Sequence, residues 1–190
     1  MTVQKRVVTD ASSCTHGLTE LAHDLRAAGD DELAARVARL EVLDSVAFVA
    51  EHVLPRLPEP ARAPAPATTP AAVPSGGRAP RIVVHPTCSD RRAGDLGALT
   101  TVAAAVAARR GGGEVVVPPD AGCCGFAGDR GMLHPELTAA ATRPEALDVA
   151  ALGAPDDVYV STNRTCEIGM TRATGRVYRH VLELLEESTR

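Results

Sequence analysis

Short β-branched runs, each followed by a turn and then a helical apolar pattern, set the fold class of this chain before any other feature does. The runs are Arg6–Asp10, Arg81–His85, Glu114–Val117 and Asp157–Ser161. Between them the spacing predicts helices over Leu18–Leu40, with a break at Gly29-Asp30, and over Val46–Leu57, capped by Asp44-Ser45 and kinked or ended by Pro55. Further helices are predicted over Gly97–Arg110, over Pro135–Leu152 as one or two pieces divided at Pro144, and over Val177–Glu187. The stretch Ala11–Gly17 reads as a turn. Strands that alternate with helices define an α/β fold with a mostly parallel sheet.

Residues 58–80 interrupt the alternation with seven of the 14 prolines and no periodic apolar spacing. This composition reads as a semi-extended linker. It divides the 190 residues into a first lobe over 1–57 and a second over 81–190. Apolar content of 45% supports a core, which must be built from Ala, Val and Leu because only two Phe, two Tyr and no Trp are present.

Net charge of −4 leaves no basic face, and the scarcity of aromatics removes the stacking platforms that single-stranded nucleic acid uses. No nucleic-acid partner is expected. The first residues carry no apolar signal-peptide core, and no run is long and apolar enough for a transmembrane segment, so a cytoplasmic protein is expected. Five cysteines in such a chain argue for metal or redox work rather than a disulfide framework.

Their placement sharpens that argument. Cys14, Cys88, Cys123, Cys124 and Cys166 each fall just after a predicted strand, at the sheet edge where α/β folds bind ligands. Adjacent Cα atoms lie about 3.8 Å apart, closer than the usual disulfide range of roughly 4.4–6.8 Å, so a Cys123–Cys124 bridge would be strained. An adjacent pair alone would read as buried apolar thiols; three more cysteines at equivalent places favour metal ligation. After the pair, Gly125, Gly128 and Gly131 let the backbone curl and approach a bound group closely, as iron–sulfur loops do.

Two turns echo each other. Val8 to Leu18 and Val160 to Met170 both run from a strand through small polar residues to Cys-x-x-Gly and an apolar residue. This pattern reads as a degenerate internal repeat, with the first copy truncated, and predicts two Rossmann-like lobes.

The motifs His85-Pro86-Thr87-Cys88, Cys123-Cys124-Gly125-Phe126-Ala127-Gly128-Asp129-Arg130-Gly131, Pro135-Glu136-Leu137 and Asn163-Arg164-Thr165-Cys166-Glu167-Ile168-Gly169-Met170 closely resemble the cysteine-rich CCG domain. The nearest likeness is the C-terminal iron–sulfur region of FAD-binding D-lactate dehydrogenases of the cytochrome type, with kinship to the heterodisulfide reductases and to the iron–sulfur component of glycolate oxidase. The resemblance implies a 4Fe-4S cluster ligated by Cys88, Cys123, Cys124 and Cys166, with Cys14 as a fifth ligand or nearby thiol. It also implies a flavoprotein dehydrogenase partner and a quinone or cytochrome acceptor, with no FAD on this chain. In the heterodisulfide reductase branch each copy ends Cys-x-x-Cys and the cluster is noncubane; here Gly17 and Gly169 stand at those last positions.

Zinc is the rival metal, with His85 or His16 joining three thiolates, although the usual Cys-x2-4-Cys spacing is absent. Among the remaining polar residues, His85 is a candidate proton donor or a core histidine. Asp129 and Arg130 read as an ion pair ordering the loop or as a helix cap. Arg164 reads as a cation raising the cluster potential, an anchor for an anionic substrate, or one half of a surface ion pair. Two functions follow: an electron-transfer module of a flavin-dependent 2-hydroxy acid dehydrogenase, or a stand-alone enzyme doing redox chemistry on a thiol, disulfide or other small molecule at its cluster.

Overall fold

A computed structural model describes residues 5–60, 79–94, 96–152 and 154–190. Most of the expected linker, 61–78, lies outside the described residues. The protein is mixed α/β with two all-parallel sheets.

The first sheet pairs β1 (Lys5–Thr9) with β2 (Leu40–Asp44), joined by α1 (Ser12–Ala27) and α2 (Asp31–Val37). Two expectations change here and one holds. The predicted turn at Ala11–Gly17 is the opening of α1. The break at Gly29-Asp30 is present: α1 stops at Ala27, and Asp30 caps its successor by accepting from the Leu33 amide at 3.0 Å. Leu40–Asp44 is a strand although Leu40 continues the helical stripe of Leu33 and Val37, because the backbone groups of β1 need a partner.

Asp44 then accepts from the Val46 amide at 2.8 Å and starts α3 (Ser45–Phe48), as its sequence signal requires. The segment continues as a π-turn over Val49–Val53 and a 3-10 turn over Leu54–Arg56 that contains Pro55, which ends it.

The second sheet runs in the order β4 (Val115–Val116), β3 (Ile82–Val84), β5 (Val158–Ser161) and β6 (Tyr178–His180). Side chains alternate along β3. Ile82 and Val84 enter the core made with α5 (Leu96–Arg109), α9 (Val181–Glu187) and Val46 of α3, whereas Val83 faces Val149 of α7 (Pro135–Leu152) and Met170 of α8 (Arg164–Thr174). Helices therefore cover both faces, and strands buried on both sides are apolar throughout.

Two more expectations change in this lobe. Residues 177–187 divide into β6 and α9, with His180 capping α9 through Nδ1 from the Leu182 amide at 3.2 Å. Pro144 does not divide α7, whose buried stripe of Thr138, Thr142, Glu145 and Val149 runs through it. That packing outweighs the amide hydrogen bond proline cannot make.

The connection out of β3 leads to β4 on one side, and the connection out of β5 leads to β6 on the other. The strand order thus reverses between β3 and β5, and the crevice outside their carboxyl ends is where such sheets bind ligands. Among the described residues, no helix is long and apolar enough to cross a membrane.

A candidate thiol metal centre

Three cysteine-bearing helices start from this crevice. Cys88 is the first residue of α4 (Cys88–Ala93), whose start is fixed by a reciprocal cap: the Asp90 amide donates to Thr87 Oγ1 at 3.1 Å and the Thr87 amide to Asp90 Oδ2 at 2.9 Å. Cys166 is the third residue of α8, and Cys14 the third of α1. The two echoing sequence turns therefore place their cysteines at the same helical position. Asn163 caps α8 and donates to Ser13 Oγ at 3.4 Å, while Ser12 and Thr87 share a hydroxyl hydrogen bond of 2.8 Å, so the start of α1 is bound to the caps of both other helices.

Cys123 and Cys124 come from the loop after β4. Several groups hold this loop: Arg91 of α4 donates to the Ala121 carbonyl, the Asp120 amide donates to Asp148 at 2.8 Å, and the Gly122 amide donates to Glu145 Oε2 at 3.3 Å. The loop then turns through left-handed backbone at Gly125, Ala127 and Gly128 into α6 (Arg130–Leu133).

Four thiols converge as two pairs. Cys166 Sγ donates to Cys124 Sγ at 3.0 Å, and both are buried. Cys123 and Cys88 are exposed and interact electrostatically with each other. The Cys166 hydrogen bond holds the Cys124 thiol down at about 6 against the opposing effect of burial, with help from the Phe126 amide and from His85. The same contact, then burial, drives the Cys166 thiol far up, and burial chiefly raises Cys123. The Gly125 amide donates to Cys123 Sγ at 3.3 Å. Among the described residues, Cys14 enters none of these contacts.

The glycines of the loop serve different ends. A Cβ on Gly125 would meet the Leu137 carbonyl at 2.8 Å, and one on Gly131 would meet Thr138 Oγ1 at 2.6 Å, so both let the loop lie against α7; Gly128 borders open space. Gly169 packs on the loop itself, where a Cβ would lie 3.2 Å from the Phe126 ring and 3.3 Å from Cys124 Cβ. The position where the resembled motif has a further cysteine is therefore closed by Phe126.

The other candidates are placed as follows. His85 is fully buried, with Nδ1 2.7 Å from Glu145 Oε2. Arg164 pairs through Nη1 with the buried Glu167 at 2.6 Å, and its side chain is otherwise exposed. Asp129 precedes α6 without a side-chain cap, and among the described residues it forms no ion pair with Arg130. His16 lies in the wall of a cavity of about 420 Å³ between the lobes, together with Ser12, Asp44, Asp90, Arg92 and Thr162.

Glu145 is the functional candidate that the sequence reading missed. Its signal was spacing, because a glutamate continues the stripe of Thr138, Thr142 and Val149 at a position where an apolar residue is expected.

Among the described residues, no three His, Cys, Asp or Glu side chains are disposed to hold a single metal ion. Glu145 engages only Nδ1 of His85, so this contact does not by itself set the histidine aside as a zinc ligand. Four thiols from three segments, with amide donors to sulfur, are the donor chemistry of an iron–sulfur cluster. Loading must break the Cys166–Cys124 hydrogen bond and release its proton, because cysteines ligate as thiolates.

The chain matches no protein-family model, no curated protein and no solved structure.

Proposed function

We propose that the chain is an iron–sulfur redox protein, with one 4Fe-4S cluster held by Cys88, Cys123, Cys124 and Cys166 and with Cys14 as a nearby thiol. In this reading it is the electron-transfer module of a flavin-dependent dehydrogenase of 2-hydroxy acids such as D-lactate or glycolate. A flavoprotein partner supplies electrons and a quinone or cytochrome accepts them. The bound cluster supplies one-electron redox chemistry; the flavin stays on the partner.

The observation that carries the reading is the convergence of the four thiols at the strand-order reversal, one pair buried and one exposed. Cys124 and Cys166 would anchor the group in the fold, whereas Cys88 and Cys123 would leave one edge within reach of a partner. Amides of Gly125 and Phe126 would remain as donors to the sulfurs. The protein would be cytoplasmic, reaching a membrane only through its partner, with no role on nucleic acid.

Iron and acid-labile sulfide per chain on anaerobically purified protein, with EPR before and after dithionite, test this directly. About four of each with a redox-dependent paramagnetic signal are expected. Zinc, or no metal after anaerobic reconstitution, would refute it.

The cavity between the lobes favours a second reading, a stand-alone enzyme with a small-molecule substrate. Ser12, Asp90 and Thr162 in its wall are each within four residues of a cysteine. Turnover of a small thiol or disulfide without any flavoprotein would select this reading over the carrier.

A further inference from the structure

The ion pair beneath the cysteines goes beyond that reading, although its role at a bound group rests on it. Glu145 projects from the middle of α7, and its side chain and that of His85 are 2% and 0% exposed. One oxygen, Oε2, accepts both from His85 Nδ1 and from the Gly122 amide. His85 leads by three residues to Cys88, and Gly122 immediately precedes Cys123. A single carboxylate oxygen thus ties together the two segments that carry the exposed thiol pair.

Burying such a pair is costly unless hydrogen bonds satisfy it, yet among the described residues His85 Nε2 and Glu145 Oε1 have no hydrogen-bond partner. Packing alone does not account for a hydrogen-bonded polar pair left incomplete beside a thiol site. Tyr178 also lies against it, with its ring edge-on to His85 at 6.4 Å between centroids and its hydroxyl without a partner among the described residues. On the loop side, His85 acts electrostatically on Cys124.

We infer that Glu145 is the positioning residue of the thiol site: it fixes His85 near Cys124, clamps the Gly122 amide, and so sets the electrostatic field in which a bound cluster is reduced. The field effect follows from charge. His85 acts on Cys124 while Glu145 Oε2 holds its Nδ1, so a change at the carboxylate reaches the sulfurs through the imidazole and the Gly122 amide.

The test compares full-length wild-type, Glu145→Gln and His85→Gln proteins, anaerobically purified, by iron and sulfide content, EPR and reduction potential. Glu145→Gln should keep wild-type iron and sulfide but show a shifted potential and altered EPR. His85→Gln should shift the potential as well, because it removes the imidazole that acts on Cys124. Wild-type potential and EPR in Glu145→Gln at equal iron would overturn the inference; if that variant does not fold, His85→Gln decides by the same measurement.

Should the wild type bind no iron, the cluster reading fails and the clamp is tested separately in metal-free protein. There Glu145→Gln should speed Gly122 amide exchange and shift the His85 ring nitrogen resonances. Unchanged exchange and resonances would overturn the clamp as well.

Discussion

The Cys166 thiol donates to Cys124 Sγ across 3.0 Å, so this buried pair shares one proton. The pH dependence of the metal-free protein follows from it. Unfolded, both thiols titrate near the ordinary 9.0; folded, Cys124 loses its proton at about 6 while Cys166 keeps its own far higher. Between about 6 and 9 the unfolded chain binds more protons, so the pair's contribution to stability rises with pH. Above 9 the folded chain holds the extra proton and the contribution falls. Thermal unfolding under reducing conditions should show this maximum near pH 9, and Cys166→Ala should remove it. An unchanged pH profile in Cys166→Ala would show that the two sulfurs are not coupled.

Phe126 and its glycine neighbours give a graded prediction. Gly131→Ala would drive a Cβ to within 2.6–2.9 Å of Thr138 Oγ1, Phe126 Cα and Phe126 Cγ, whereas Gly169→Ala would meet Phe126 and Cys124 at 3.2–3.3 Å. Overpacking of this kind costs about 1–3 kcal/mol. Gly131→Ala should fall at or above the top of that range and Gly169→Ala near the bottom in urea denaturation. Equal losses would mean that the loop shifts freely away from α7.

The α/β alternation was legible because four of the six strands are short apolar runs bounded by turn residues. The thiol site was legible for a related reason: each cysteine follows a strand, and parallel strands bring their carboxyl ends to one edge. β2 was hidden because Leu40 extends a helical stripe, and β6 because three residues between Val177 and Val181 offer no period of their own. Glu145 was hidden because its partner His85 is 60 residues away, and a helical glutamate ordinarily faces water. Pairing across such distances is decided by the fold, not by local pattern.

The two lobes should differ in local stability. Among the described residues β1 and β2 pair only with each other, and their residues are exposed or half-buried, with Val8 45% exposed; β3 and β5 are paired on both sides beneath helices. Amides of β1 and β2 should exchange well before those of β3 and β5. Leu99→Ala in the second lobe should cost about 2–5 kcal/mol, but Leu21→Ala on the half-buried face of α1 less than about 1 kcal/mol. Hydrogen exchange resolved by residue checks the first statement, and equal protection of both sheets would contradict it.

The amino edge of the second sheet depends on one carboxylate. Asp157 accepts from the Arg81 amide at 3.0 Å through Oδ1, and from Arg81 Nε and Nη2 at 3.0 and 2.6 Å through Oδ2. Arg81 leads into β3 and Asp157 into β5, so the pair registers the two central strands against each other at the end opposite the thiols. Its side chains are 14% and 0% exposed, which places it among buried ion pairs rather than surface ones. Asp157→Ala leaves the guanidinium without its counter-ion and should cost about 3–5 kcal/mol. Asp157→Asn keeps the shape and an acceptor but loses the charge, and should cost about 1.5–3 kcal/mol. Urea denaturation of both variants measures the order. If both cost less than about 1 kcal/mol, strand pairing and the apolar core alone set the register, and the thiol edge does not depend on this end of the sheet.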